Sequence, residues 1–406
     1  TFKYVIIMIS KQLFLTTLFL VLTTHIFATD RIVQENGPAG TFNTISEAIT
    51  ASIDGDRIVI YPKIGDSPYV ENININKALE FVTAQDGVRY KIQGNITIEA
   101  SDNRKVTIIG AHLVSGNIEG TTSGWRTNVN IMGCFLEGGN ITFNNQYYVS
   151  IVSNILQNGN ISLSHGNVIG NDLVTELRTI SIANSTSIQE DSMNIIANKV
   201  TQIICTSNIT LNIYNNFIKR SLSTTSNFSS ISYSYTSVDT KLYVLNNTIV
   251  NPASSTSGSF NYYVSSSSRA LISNNQFLRV VTPSSLVGNH SFFSLPNGFS
   301  GTYNYYYNTT TKLNQIPTEV SDNLGSINLL TGSTIFPALS QNGANPSFEF
   351  YDLDLSPGDA GCYGGSYSLD NYFPITGSSR VYWIDTPFGI TTTGAPLQIK
   401  AEGFDR

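Results

Sequence analysis

The sequence predicts an all-β solenoid, a right-handed parallel β-helix. Three observations predict it. A short apolar–Asn–apolar unit recurs along the middle of the chain. A second unit, Asn-Ile-Thr or Asn-Ile-Ser, interleaves with the first. Only 12% of the 406 residues are charged while 41% are hydrophobic, so the polar positions are filled by uncharged side chains.

The first unit reads Ile151-Val152-Ser153-Asn154-Ile155-Leu156 and returns around Asn171, Asn198, Asn216, Asn247 and Asn275. Cys134 takes the Asn place in an earlier copy, Ala111 in one before that, and a later anchor is expected at Asn308. The second unit occurs at Asn95, Asn140, Asn160 and Asn208. A turn of about 20 residues therefore holds at least two short strands. Side chains alternate along a strand, so the central Ile of each unit points one way and its polar neighbours the other. One turn alone cannot bury its apolar side. Turns stacked about 4.8 Å apart pair strand on strand in parallel and close a continuous core. The anchor Asn is expected where the chain bends between sheets, because Asn tolerates left-handed backbone. Stacked Asn side chains can also satisfy the groups that a bend leaves unpaired.

The order of elements follows. Residues 1–28 read as a secretory signal: Met8, with further residues before it, then Lys11, an apolar run over 13–22 and a small Ala28 before the cleavage point. Residues 29–378 are expected to form the β-helix and 379–406 to begin a second, β-rich module that the sequence cuts short. Ile45, Ala48 and Ile49 share one face at helical spacing, predicting a short N-terminal capping helix over the first exposed strand edge. Cys134, Cys205 and Cys362 are lone and far apart, so they are read as small core residues and no disulfide scaffold is expected. No later segment is long and apolar enough for a stable membrane span.

Some of these residues carry a resemblance. Gly40-Thr41-Phe42, Ile45-Ser46-Glu47-Ala48-Ile49, Gly55-Asp56-Arg57-Ile58-Val59-Ile60 and Tyr69-Val70-Glu71-Asn72-Ile73 resemble the opening of the pectin-lyase-like β-helix superfamily. The stretch from Tyr351 through Asp352, Asp354, Ser356-Pro357-Gly358 and Asp359 to Gly361 resembles the closing turn of its secreted members. The resemblance, over about residues 31–375, implies the β-helix fold, while the signal segment implies an extracellular or cell-surface location. It does not imply one activity, because this fold hosts many.

Function is read from charge and from the lengthening turns. The formal charge of −6 argues against a nucleic-acid binder. Residues 201–300 nevertheless hold five bases, Lys219, Arg220, Lys241, Arg269 and Arg279, against one acid, Asp239. Arg220 and Arg279 each follow an anchor by four positions, so they are expected in one column with Lys219 beside it. Two guanidinium groups there can grip the carboxylates or sulfates of an acidic polysaccharide, while the bland alternative is solvated surface charge. The Ser/Thr/Tyr-rich additions over 221–240 and 251–268 bring Tyr233, Tyr235, Tyr262 and Tyr263, whose rings can stack on sugar faces or simply cover a sheet. The first expectation is thus a secreted protein that binds polysaccharide or another surface through a basic and aromatic face. The alternative is a polysaccharide lyase or glycoside hydrolase. It rests on Asp172, His165 and Arg220, at no spacing such an enzyme uses, and Asp172 pairs equally well with Lys199 one turn on. A third reading is a spacer or adhesin stalk. No cofactor is expected, and Asp352, Asp354 and Asp359 are the one group of acids that invites Ca²⁺. Thr97, Thr142, Ser162 and Thr210 are expected to form an outward hydroxyl column interrupted by Glu119.

Overall fold

The computed structural model describes residues 28–122, 126–173, 178–183, 192–207, 209–219, 230–235, 241–252, 260–264, 269–280, 293–294, 299–300, 303–307, 341–375, 379–385 and 400–405. The chain forms a right-handed parallel β-helix of three parallel sheets, here A, B and C, with 12, 11 and 10 strands. Each turn visits them in that order, as in Lys105–Ile109 on A, Ala111–Ser115 on B and Ile118–Gly120 on C. Residues 1–27 of the expected signal segment lie outside the described residues. Among the described residues no helix is long and apolar enough to cross a membrane.

Register stacks like on like. In sheet A, Ile108, Ile131, Ile151, Val168, Ile195, Ile213, Val244 and Ile272 form one buried file. Each such side chain contributes about 1.5–3 kcal/mol of apolar burial, and only stacking provides it. Cys134 and Cys205 lie in this core, and all three cysteines are buried and free.

The anchor asparagines line the bend from sheet A to sheet B. Asn154, Asn171, Asn198, Asn216, Asn247, Asn275 and Asn304 are all fully buried. Each Oδ1 accepts the backbone N–H of the anchor one turn earlier, at 2.8–3.1 Å, beginning with Cys134 on Asn154. Each Nδ2 donates to a strand carbonyl of the turn before, such as Asn198 to Val168 at 2.8 Å. Two expectations are corrected. The last anchor is Asn304, not Asn308, which lies outside the described residues. The left-handed residue is not the anchor but the one before it: Ser153, Ala197, Asn215, Asn246, Asn274 and Tyr303 have φ between 53° and 59°. The anchor earns its place through its amide, which caps backbone groups that the bend strips from the sheet ladder.

A second ladder lines the bend into sheet C and runs the other way. Asn95, Asn117, Asn140 and Asn160 donate their backbone N–H to Oδ1 of Asn72, Asn95, Asn117 and Asn140, at 2.8–2.9 Å. Asn72 and Asn117 belong to this series, while Thr210 does not. Thr210 lies on sheet A opposite Ser192. The sheet C column runs Thr97, Glu119, Thr142, Ser162, Ser181.

The N-terminal cap is the helix Ile45–Ala51, with a Thr44/Glu47 capping box and Ile45, Ala48 and Ile49 buried. Glu71 accepts the N–H groups of Ile45 and Ser46, and Lys77 donates to the carbonyls of Ile49, Thr50 and Ser52. Opposite charges thus meet the two ends of the helix dipole. Beside it, the fully buried Asp56 accepts from Thr29 N, Ile53 N and Arg31 Nε at 2.8–3.1 Å. Burial pushes its carboxyl up, but these three donors outweigh burial and hold it below 3.8. The folded pKa therefore lies below the unfolded one. Its stabilisation is complete above about pH 4 and is lost as pH falls through the folded value. Asp56→Asn is expected to lower stability at neutral pH by about 1–3 kcal/mol, a gap that narrows on acidification. Urea unfolding of both proteins at pH 7 and pH 3 measures it, and a gap that does not change with pH would refute this assignment.

The expected closing turn does not close the solenoid. Residues 342–373 run back along its flank over the A–B bend. Gly361 N donates to Asn274 O, Cys362 N to Thr248 Oγ1, and Asn215 Nδ2 to Gly364 O. Further back Tyr367 stacks on Tyr214, and Lys199 sits over the Phe373 ring. The strap is needed because strands such as Gly166–Ile169 end in an outward apolar residue. Ile169 and Ile196 are buried against Cys362, Leu369 and Tyr372. Strands Ser379–Asp385 and Lys400–Asp405 pair antiparallel in a separate small sheet.

Candidate functional site

The predicted binding residues fall on two different sheets. Lys219 ends the sheet B strand Phe217–Lys219 and is exposed. It lies opposite Val250, and the next pair along is Asn251 opposite Arg279. Arg220 lies outside the described residues. The tyrosines are not in loops: Tyr233 and Tyr235 sit on the sheet C strand Ile231–Tyr235, and Tyr262 and Tyr263 on Phe260–Val264. Tyr233 is 1% exposed and its hydroxyl donates to Ile209 O at 3.2 Å, so it is a core residue and cannot stack on a sugar. Strand alternation turns it inward, and Tyr262 occupies the matching register position. A single basic and aromatic face is therefore corrected to basic residues on sheet B and tyrosines on sheet C.

The acid–base candidates are not brought together either. Asp172 is on sheet B, opposite Lys199, with Nζ 3.8 Å from Oδ2. Burial pushes its carboxyl up and Lys199 works against that. His165 lies before the strand Gly166–Ile169, at the far end of that strand from Asp172, and both of its ring nitrogens are shielded from solvent. Asp352, Asp354 and Asp359 serve the strap. Asp352 accepts from Gly365 N, Asp354 from Ser356, and Asp359 from Asn342 N. Among the described residues no three His, Cys, Asp or Glu side chains form a metal-holding group.

One charged group had escaped the sequence reading. Sheet B carries Lys91, His112, Phe135, Ile155, Asp172 and Lys199 in one register column. His112 Nε2 is 2.8 Å from Glu137 Oε1, its ring meets Phe135 at 4.7 Å, and Lys91 pairs with Asp66. Burial lowers the His112 pKa, with Glu137 opposing, which favours the neutral ring. The signal was present: His112 follows Ala111 as Asp172 follows Asn171, each one place after its anchor.

No family model matches the chain, and no curated protein matches it. Among solved structures it is similar to one described as "Crystal structure of pectate lyase Pel9A", at 11% identity and a TM-score of 0.38, over 84% of this chain and 97% of that one. The architecture is established by the chain's own three sheets and their register: it is a right-handed parallel β-helix.

Proposed function

We propose that this protein is an exported polysaccharide-binding β-helix. The observation that carries the reading is that sheet B places Asn251 opposite Arg279 on successive strands, one register position beyond the exposed Lys219 at the end of the strand before them. An amide and a cation at strand spacing, with a second cation at the neighbouring strand end, suit a polymer whose acidic groups repeat. Lys219→Ala with Arg279→Ala is expected to weaken binding to polygalacturonate about tenfold and to flatten its salt dependence, measured by titration at two ionic strengths. Unchanged affinity would remove sheet B from the binding surface. A second reading, polysaccharide cleavage, is favoured by one arrangement: His112 beside Glu137, with Lys91 and Asp66 on the adjoining turns. A neutral imidazole oriented by a carboxylate can take a proton, and new chain ends after incubation with polysaccharide would reveal it.

A further inference from the structure

Sheet A carries an ordered row of side chains that none of these readings uses. Asn167 Nδ2 donates to Tyr148 Oη at 3.2 Å, Asn194 Nδ2 to Asn167 Oδ1 at 2.8 Å, and Asn212 Nδ2 to Asn194 Oδ1 at 2.8 Å. Tyr214 Oη then donates to Asn212 Oδ1 at 3.2 Å. Five groups on four successive strands make one hydrogen-bonded ribbon, polarised in a single direction along the solenoid axis. Such a chain strengthens its own members and holds their side chains in fixed rotamers. The asparagines face outward, half-buried, unlike the buried anchors. An amide has two N–H donors and two acceptor lone pairs. Each central Asn uses one of each along the ribbon and keeps one of each for the outside, repeated about every 4.8 Å.

The strands that carry the ribbon are themselves uncharged. The five sheet A strands Thr127–Met132, Tyr147–Val152, Gly166–Ile169, Ser192–Ile196 and Thr210–Tyr214 contain no Asp, Glu, Lys or Arg. The strands on either side begin with charges, Glu80 and Lys105 before them and Lys241 and Arg269 after. Tyr148, 36% exposed, presents a ring at one end. At the other end Tyr214 stacks on Tyr367, with ring centroids 6.3 Å apart and planes inclined by 22°, so the strap forms a wall beside the ribbon.

We infer that this ribbon is a second binding track, and that its ligand is a neutral polysaccharide lying along the solenoid axis. Hydroxyl pairs that both donate and accept match the repeated amides, rings suit the sugar faces, and the uncharged window disfavours an ionic polymer. The inference rests on the proposed reading that the protein binds polysaccharide, and it adds the surface and the glycan class. The test titrates the full chain with soluble neutral β-1,4-glucan, β-1,4-mannan and β-1,3-glucan, and with polygalacturonate. Asn194→Ala is expected to weaken binding to at least one neutral glycan tenfold or more and to leave polygalacturonate binding unchanged. Tyr148→Ala, which leaves the amide row in place, is expected to weaken the same neutral glycan several-fold, and thermal melts confirm that both variants fold. Binding to polygalacturonate alone, or neutral binding that neither variant alters, would overturn the track while leaving the broader reading intact. Binding to no glycan would overturn both.

Discussion

Asn198→Ala is expected to destabilise the protein by roughly 4–5 kcal/mol, among the largest effects of any single substitution here. Its side chain meets five hydrogen-bond partners in a fully buried setting, with the two Nδ2 hydrogens shared among three acceptors. Oδ1 accepts Asn171 N and Nδ2 at 2.9 Å each, while Nδ2 donates to Val168 O at 2.8 Å, to Ile196 O at 3.0 Å and to Asn216 Oδ1 at 3.0 Å. Alanine leaves Asn171 N dry and unpaired and takes one partner each from Val168 O, Ile196 O, Asn171 Nδ2 and Asn216 Oδ1, at about 1–3 kcal/mol per orphaned group before relaxation. Water cannot rescue them, because the bend is closed on one side by Ile195 and on the other by the strap. Asn198→Asp is expected to do as badly, since a carboxylate has no donor for Val168 O or Ile196 O. Asn128→Ala, at an exposed position on sheet A, is the control and should move stability by less than about 0.5 kcal/mol. Denaturant midpoints measure all three, and equal midpoints for Asn198→Ala and the parent would mean that the buried ladder does not hold the turns together.

Gly139→Ala and Gly138→Ala, neighbours in sequence, should differ by about 3 kcal/mol or more. A Cβ on Gly139 would sit 2.0 Å from Gly116 O and 2.7 Å from Gly116 C, and its φ is +112°. Both obstacles are backbone, held by the turn above, so neither can yield cheaply. Gly94 and Gly116 are placed alike: a Cβ on either would sit 2.1 Å from a carbonyl oxygen of the previous turn. Gly138 has nothing within 4 Å of its notional Cβ and takes alanine within about 0.5 kcal/mol. Thermal melts of the two variants decide the matter. Similar melting temperatures would show that the second bend tolerates a wider spacing than the structure gives it.

The repeat was legible because its signal is local and repeated. Apolar residues on either side of Asn154, Asn171 and Asn198 report strand, bend and strand at once, and each copy confirms the last. The capping helix was legible for the same reason, through Ile45, Ala48 and Ile49 on one face. What failed depended on partners far away in sequence. The flank course of residues 342–373 is set by outward apolar residues at strand ends, such as Ile169 and Ile196, and nothing local to either segment says that they meet. Tyr233 looked like a loop aromatic because Ser and Thr surround it, yet register with Cys205 turns it into the core. The anchor was misplaced by four residues at Asn304 because Tyr303 holds the left-handed position usually taken there by Asn, Ser, Ala or Gly. For the candidate site, the repeat frame placed Asp172 beside Lys199, whereas the pairing of His112 with Lys91 emerged only from register. The outward ribbon went unread although Asn167, Asn194 and Asn212 each stand four residues before an anchor, because an outward Asn on a strand reads as ordinary solvent-facing polarity until register brings one amide against the next.

Polysaccharide binding itself is tested by incubating the purified chain with a panel of acidic and neutral polysaccharides, with and without Ca²⁺. Retention on the polymer, new reducing ends and the ultraviolet absorbance of unsaturated uronates are read from the same samples. The binding reading predicts retention on at least one polymer, weakened by salt where the polymer is acidic, with no new ends. New ends that disappear in His112→Ala would contradict a purely binding role and make sheet B a catalytic face. No retention and no new ends across the panel would contradict glycan recognition altogether.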